Sequence, residues 1–104
     1  QSMGGFGCWD LILRYPDLFA ATVPVCGGGS PKHAARIKDI SLWIFHGAKD
    51  PTVPVSASRQ MAVALRDCGG RVKKYSEFPD GGHVIMESAW RAPGLIEWLF
   101  EQEK

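Results

Sequence analysis

The run Ser41-Leu42-Trp43-Ile44-Phe45-His46, closed by Gly47, constrains the fold more than any other part of the chain. It is nearly continuously apolar and does not alternate. A strand with one wet face alternates apolar and polar residues, whereas a strand without alternation is buried on both faces. Double burial is the condition of a parallel sheet with helices on either side.

The flanking segments agree with that condition. Phe19–Cys26 reads as a short buried strand that breaks at Gly27-Gly28-Gly29. Pro24 counts against regular central pairing, because it has no N–H to donate to a ladder. Val72–Phe78 reads as a third strand nearer the sheet edge, with Val72, Tyr75 and Phe78 set among Lys73, Lys74 and Glu77. Helical spacing covers Cys8–Tyr15, stopped by Pro16, and Val55–Cys68, stopped by Gly69-Gly70. It also covers Met86–Gln102, with Trp90, Leu95, Ile96, Leu99 and Phe100 on its inner side and a division at Pro93-Gly94. Ser30–Ile37 holds a short helix. Strands alternating with helices imply an α/β fold with parallel strands in sequence order. Three strands make a narrow sheet with one unsatisfied edge. The chain opens on Gln1-Ser2-Met3-Gly4-Gly5, a glycine-rich turn with no strand before it. Further strands are therefore expected upstream, and residues 1–104 are expected to be the C-terminal part of one domain.

Composition narrows the function classes. At 104 residues, 45% hydrophobic and 22% charged, the chain is suited to one core and not to disorder. Twelve Lys+Arg against eleven Asp+Glu leave a net charge of +1, with no basic stripe for nucleic acid. No apolar run approaches the roughly 20 residues of a membrane span. Cys8, Cys26 and Cys68 are widely spaced, without CxxC or a His/Cys ladder, so no zinc site or disulfide framework is indicated. Gly5-Phe6-Gly7 lacks the third glycine of a dinucleotide loop, and Gly27-Gly28-Gly29-Ser30 lacks the Lys of a phosphate loop. No metal or cofactor is implied.

Three side chains stand where open parallel sheets place chemistry, in loops after strands or at a helix start. Ser2-Met3-Gly4 matches the last part of G-x-S-x-G, a turn whose small residues expose a serine hydroxyl. Read alone, Ser2 is equally an ordinary serine in a glycine turn. Asp50 follows the buried strand; alone, Asp50-Pro51 is a turn starter. His83 follows Gly81-Gly82; alone, it is a loop residue. Together they stand in the order Ser, Asp, His, which is the order of the nucleophile-elbow hydrolases. In that arrangement His83 takes the Ser2 proton and Asp50 fixes the imidazole tautomer. The Met3 backbone N–H, at a helix N-terminus, is one oxyanion donor. His46 reads as a structural hydrogen-bonding residue and His33 as solvent-facing. Trp43 and Trp98 read as core, and Trp90 as core or as the wall of an acyl pocket.

The chain resembles a known family through Ser2-Met3-Gly4-Gly5-Phe6-Gly7, Trp9, Tyr15-Pro16-Asp17-Leu18-Phe19 and Val23-Pro24-Val25-Cys26-Gly27-Gly28-Gly29. The resemblance extends through His46-Gly47-x-x-Asp50-x-x-Val53-Pro54 and Gly82-His83. These look like the C-terminal half of an α/β hydrolase. The nearest branch is the phospholipase/carboxylesterase and dienelactone-hydrolase-like group, with the predicted peptidases that border prolyl oligopeptidases. The resemblance implies a three-layer α/β/α sheet and a serine hydrolase with Ser2 as nucleophile, Asp50 as acid and His83 as base. Esters are the expected substrates. The alternatives are short peptides, or a non-catalytic binding protein on the same fold. Cys8 stands where relatives often carry Thr, which reads as a packing change. The elbow strand and the loop that supplies the second oxyanion N–H are expected outside this chain, so these 104 residues alone are expected to be a weak catalyst.

Overall fold

In the computed structural model, which describes residues 1–70 and 72–102, β2 (Ser41–Gly47) is the middle strand of a three-stranded parallel sheet. β1 (Ala21–Thr22) pairs with Ser41 and Leu42 on one side, and β3 (Val72–Phe78) runs along the other. All of β2 is buried, with Leu42, Ile44 and Phe45 at 0% exposure and Trp43 at 4%. The unalternating run is thus explained by packing on both faces.

Each face has its own core. On one face, Leu42 and Ile44 pack with α1 (Met3–Arg14), a 3₁₀ segment (Pro31–Ile37) and α2 (Ser56–Asp67), through Trp9, Ile12, Ile37, Met61 and Leu65. On the other, Trp43 and Phe45 pack with Val25, Cys26 and Ile85. Two short helices cover that face, α3 (Met86–Trp90) and α4 (Leu95–Glu101), through Ala89 and Leu95. The aromatic stack Trp43–Phe45–Phe78 runs across the strands, with centroids 5.3 and 6.1 Å apart. Among the described residues no helix is long and apolar enough to cross a membrane.

Several elements depart from their sequence-based bounds, each for a local reason. Regular pairing of the Phe19–Cys26 segment is confined to Ala21–Thr22. Pro24 interrupts it, and the chain rejoins the sheet through a single Val25–Phe45 bridge, with Phe45 N–H bonded to the Pro24 carbonyl at 3.0 Å. The predicted Met86–Gln102 helix is two short helices, parted at Pro93-Gly94. Trp90 and Phe100, expected on its inner side, are 54% and 87% exposed. Trp98 is half-buried and meets Trp43 edge-on at 5.6 Å. In β3 an irregularity beside Leu42/Trp43 shifts the register, and Tyr75 and Phe78 lie on opposite faces. The side chains of Val72 and Lys73, which open that alternation, lie outside the described residues.

The largest departure is α1, which begins at Met3 and runs through Gly4, Gly5 and Gly7. Glycine is a poor helix former, so periodicity places the start at Cys8. Packing reverses that preference at Gly5. A Cβ there would lie 2.5 Å from the Val25 carbonyl oxygen and 3.1 Å from the Gly27 Cα. Gly27 is the complementary half of the contact: its Cβ would lie 2.5 Å from the Gly5 carbonyl carbon. Helix and sheet end touch backbone to backbone, which fixes where the helix N-terminus can sit.

Two measurements check this account. In an exposed helix Gly→Ala is stabilising by about 1 kcal/mol. Here Gly5→Ala is expected to destabilise by about 1–3 kcal/mol, as overpacking does, and urea unfolding reads the sign directly. The second concerns the tie between α2 and β3. Arg59 grips Glu77 with Nε–Oε1 at 2.5 Å and Nη2–Oε2 at 2.9 Å, and the Tyr75 hydroxyl donates to Glu77 at 2.8 Å. Arg59 above all, then Tyr75, holds the Glu77 carboxyl down at about 2 from its ordinary 4.5, against the opposing effect of burial. A pKa lower in the folded state means stability that is complete above about pH 4.5 and lost as pH falls toward 2. Arg59→Gln is therefore expected to lower stability only slightly at neutral pH, as loss of a solvent-exposed ion pair does. Its difference from wild type should close as the pH falls toward 2.

Candidate active site

Ser2, Asp50 and His83 meet at one end of the sheet. Ser2 precedes α1 with φ 56° and ψ −116°, a left-handed conformation that costs a non-glycine residue on the order of 1–3 kcal/mol. The surroundings hold it there. Its N–H bonds the Val25 carbonyl at 2.9 Å, and its carbonyl accepts the Phe6 N–H at 2.9 Å as the first bond of the helix. Val25 is followed by Cys26, the other described non-glycine residue with positive φ, at 51°. The Met3 N–H lies in the first turn of α1, where backbone donors have no intrahelical partner.

Asp50 closes a tight turn after β2. Its Oδ1 accepts the N–H groups of Thr52 and Val53 at 2.8 and 2.9 Å. Its Oδ2 lies 2.8 Å from His83 Nδ1. Burial pushes the carboxyl upward, but the hydrogen bonds from His83, Val53 and Thr52 outweigh it and hold Asp50 below its ordinary range. On the far side of the imidazole, His83 Nε2 lies 2.7 Å from Ser2 Oγ. A carboxylate only accepts, so Nδ1 carries the proton, and Nε2 is left to accept from the serine hydroxyl. The three groups form one hydrogen-bonded line in the register of a serine–histidine–acid relay.

The His83 loop is seated by backbone contact. A Cβ on Gly47, at the end of β2, would overlap the Gly82 carbonyl oxygen and come within 2.5 Å of that of Gly81. Lys49 N–H bonds the Gly81 carbonyl at 2.9 Å, and Ala48 N–H bonds the Phe78 carbonyl at 3.0 Å. Gly47 therefore lets the Pro79–His83 turn lie flat across the strand end.

Residues beyond the three expected ones complete the site. Gln1 Nε2 donates to the His83 carbonyl at 2.5 Å, tying the residue before Ser2 to the imidazole loop. Cys26 is fully buried; burial above all, and the adjacent Asp50 carboxylate, raise its thiol pKa, against a Gly47 backbone hydrogen bond acting the other way. It is thus a protonated thiol beside the acid rather than a nucleophile. His46 is fully buried, with Nε2 2.8 Å from the Val53 carbonyl and Nδ1 2.7 Å from Ser58 Oγ. The His46-Gly47-x-x-Asp50 spacing was the sequence signal for it. Gln1 left none, because its partner is a backbone atom of a distant loop. Donor atoms of Cys26, His46 and Asp50 come within 4.8 Å of one another. Both His46 nitrogens are already hydrogen-bonded to protein groups and both Asp50 oxygens carry protein donors, so this donor set fits hydrogen bonding and not a metal. Trp90, the candidate acyl-pocket wall, lines a small apolar cavity with Val23, Val25, Met86, Ala89 and Leu95. His33 is exposed, as expected.

Known proteins share this arrangement of elements. No family model matches the chain. A thermostable esterase of known structure superposes on 99% of the chain with TM-score 0.86 and 41% identity, the match covering 30% of that protein. Uncomplexed Pyrococcus horikoshii acylaminoacyl peptidase matches 96% of the chain and 22% of its own with TM-score 0.78 and 19% identity, a likeness of fold alone. Among curated proteins, Esterase LipQ of Mycobacterium tuberculosis (strain ATCC 25618 / H37Rv) is 37% identical over 70 residues, which is 67% of this chain and 15% of LipQ. The chain therefore spans less than a third of the length of these esterases, at 30% and 15%. Its fold is that of the α/β hydrolases.

Replacing Gly47 tests how the site is held. Gly47→Ala is expected to lift the Gly81–His83 loop and part His83 Nδ1 from Asp50, leaving β2 and α2 in place. A crystal structure of the variant with that bond still at hydrogen-bonding distance would contradict the seating described above.

Proposed function

We propose that the protein is a serine hydrolase of carboxylic esters, with Ser2 as nucleophile, His83 as general base and acid, and Asp50 as the orienting carboxylate. The observation that carries this reading is the unbroken line Ser2 Oγ–His83 Nε2 at 2.7 Å and His83 Nδ1–Asp50 Oδ2 at 2.8 Å. The strained backbone of Ser2 supports it, since an elbow of that kind turns the hydroxyl outward from the sheet. The 41% identity to an esterase favours esters over peptides, because the likeness to a peptidase is one of fold only.

The chemistry follows from the tautomer. Ser2 Oγ adds to the ester carbonyl as His83 Nε2 takes its proton, and the imidazolium is stabilised by Asp50, which stays ionised. Charge develops on the former carbonyl oxygen, where the Met3 N–H donates to it. His83 returns the proton to the leaving alcohol as the C–O bond breaks, leaving Ser2 acylated. Water then repeats the sequence, with His83 again as base, and releases the carboxylic acid. We also infer that residues 1–104 are the C-terminal part of a larger catalytic domain. The 30% coverage of the esterase supports this, as does β1, which among the described residues pairs only with β2. The second oxyanion donor belongs to the rest of that domain.

Hydrolysis of p-nitrophenyl acetate by the complete protein tests the assignment. Ser2→Ala is expected to abolish both turnover and labelling by a fluorophosphonate. Asp50→Asn is expected to keep the fold and lower kcat by about 10⁴, by releasing the imidazole to the wrong tautomer. Near-wild-type hydrolysis by either variant refutes the reading. The 104-residue chain alone is expected to be slower than the complete protein by roughly 10²–10³, the cost of one oxyanion donor.

A further inference from the structure

We propose that His46 is a positioning residue for the triad carboxylate, locking the Asp50–Val53 turn from beneath through a hydrogen bond that the Ser2–His83–Asp50 line does not include. The proposal rests on the hydrolase reading above and extends it to a second, buried histidine.

The geometry carries the argument. His46 is the last side chain of β2 before Gly47, with its ring at 0% exposure. Its Nε2 faces two acceptors of one turn: the Val53 carbonyl at 2.8 Å and Asp50 Oδ2 at 3.4 Å. A carbonyl cannot donate, so Nε2 carries a proton. That N–H closes a ring of bonds around the turn. Val53 gives its N–H to Asp50 Oδ1 at 2.9 Å and receives the His46 proton on its carbonyl. The same Asp50 side chain that orients His83 is thereby tied to a rigid strand through both polar groups of the Val53 backbone. A carboxylate on a turn is only as well placed as that turn, and misplacement by about 1 Å costs on the order of 10² in rate.

The other ring nitrogen anchors the imidazole. With Nε2 protonated, Nδ1 accepts the Ser58 hydroxyl proton at 2.7 Å. Ser58 is itself buried at 1% exposure on α2, and its Oγ lies 3.2 Å from the Gly27 carbonyl. Gly27 is the residue pressed against Gly5 beneath the Ser2 helix. The hydrogen-bonded line is thus Ser58–His46–Val53, and Ser58 meets the Gly27 carbonyl by contact alone, because its one hydroxyl proton goes to His46. His46 exchanges no proton with substrate in this scheme; it acts through Asp50.

A double-mutant cycle on the complete protein, with p-nitrophenyl acetate, separates this role from a general packing role. His46→Leu is expected to lower kcat by about 10² with little change in KM. In an Asp50→Asn background the same change is expected to cost less than roughly threefold, because the group it positions is already lost. His46→Gln, whose amide N–H can reach the Val53 carbonyl, is expected to recover most of the loss, and it keeps the test open if the Leu variant does not fold. Three results would overturn the proposal: wild-type kcat in His46→Leu, an undiminished loss in the Asp50→Asn background, or a Gln variant as impaired as Leu. In each of these, the loss caused by Asp50→Asn alone still stands. If Asp50→Asn alone leaves kcat unchanged, the triad reading fails and this proposal with it.

Discussion

A carboxylate can be buried only where donors replace the water it gives up. Asp50 is buried, and the site is built around that requirement. Two N–H groups of its own turn, His83 Nδ1 and the thiol of Cys26 surround it. These partners come from three stretches of chain, the Asp50 turn itself, the His83 loop and the Cys26 strand end. Gly47 admits the loop that brings His83. The Val25 carbonyl, just before Cys26, holds the Ser2 N–H. Remove the buried charge and these placements lose their common purpose, although the two apolar cores would remain.

Strand β2 is what allows so many supports to converge. It is buried throughout, so it belongs to both cores and moves with neither alone. Its apolar side chains serve the packing, and its last side chain and the glycine after it serve the site. A strand at an edge could not do this, because one face would be free to shift. The Arg59–Glu77 pair and the Lys74 ammonium, 4.3 Å above the Trp43 ring, fix β3 alongside.

The central features were legible because they rest on local chemistry. The unalternating run Leu42–Phe45 could mean little but double burial. Pro24 announced an interrupted strand, and Pro93-Gly94 a broken helix. The placement of Ser2, Asp50 and His83 near one another followed from their order along an α/β chain. What the sequence hid depends on distant backbone. Local propensity argues against a helix through Gly4, Gly5 and Gly7; only the approach of Gly27 makes those glycines necessary. Gln1 meets a carbonyl, which leaves no side-chain signature. Trp90 reads as core by spacing, but Pro93-Gly94 ends the helix before its face can be covered, leaving it exposed.

The bond between His83 and Ser2 joins residues 81 positions apart. Contacts of such separation carry the greatest loop-closure cost and contribute only after shorter loops have closed. The serine elbow can rest on Val25 early, once the first part of the chain has folded. The imidazole follows β3 in the chain, so it arrives only after β3 docks, and the short helices α3 and α4 come after it. Assembly of the site is thus a late event in the folding of this segment. A local opening of the C-terminal helices would part His83 from Ser2 while leaving the β2 core folded, so this hydrogen-bonded line can be lost well before the rest of the structure.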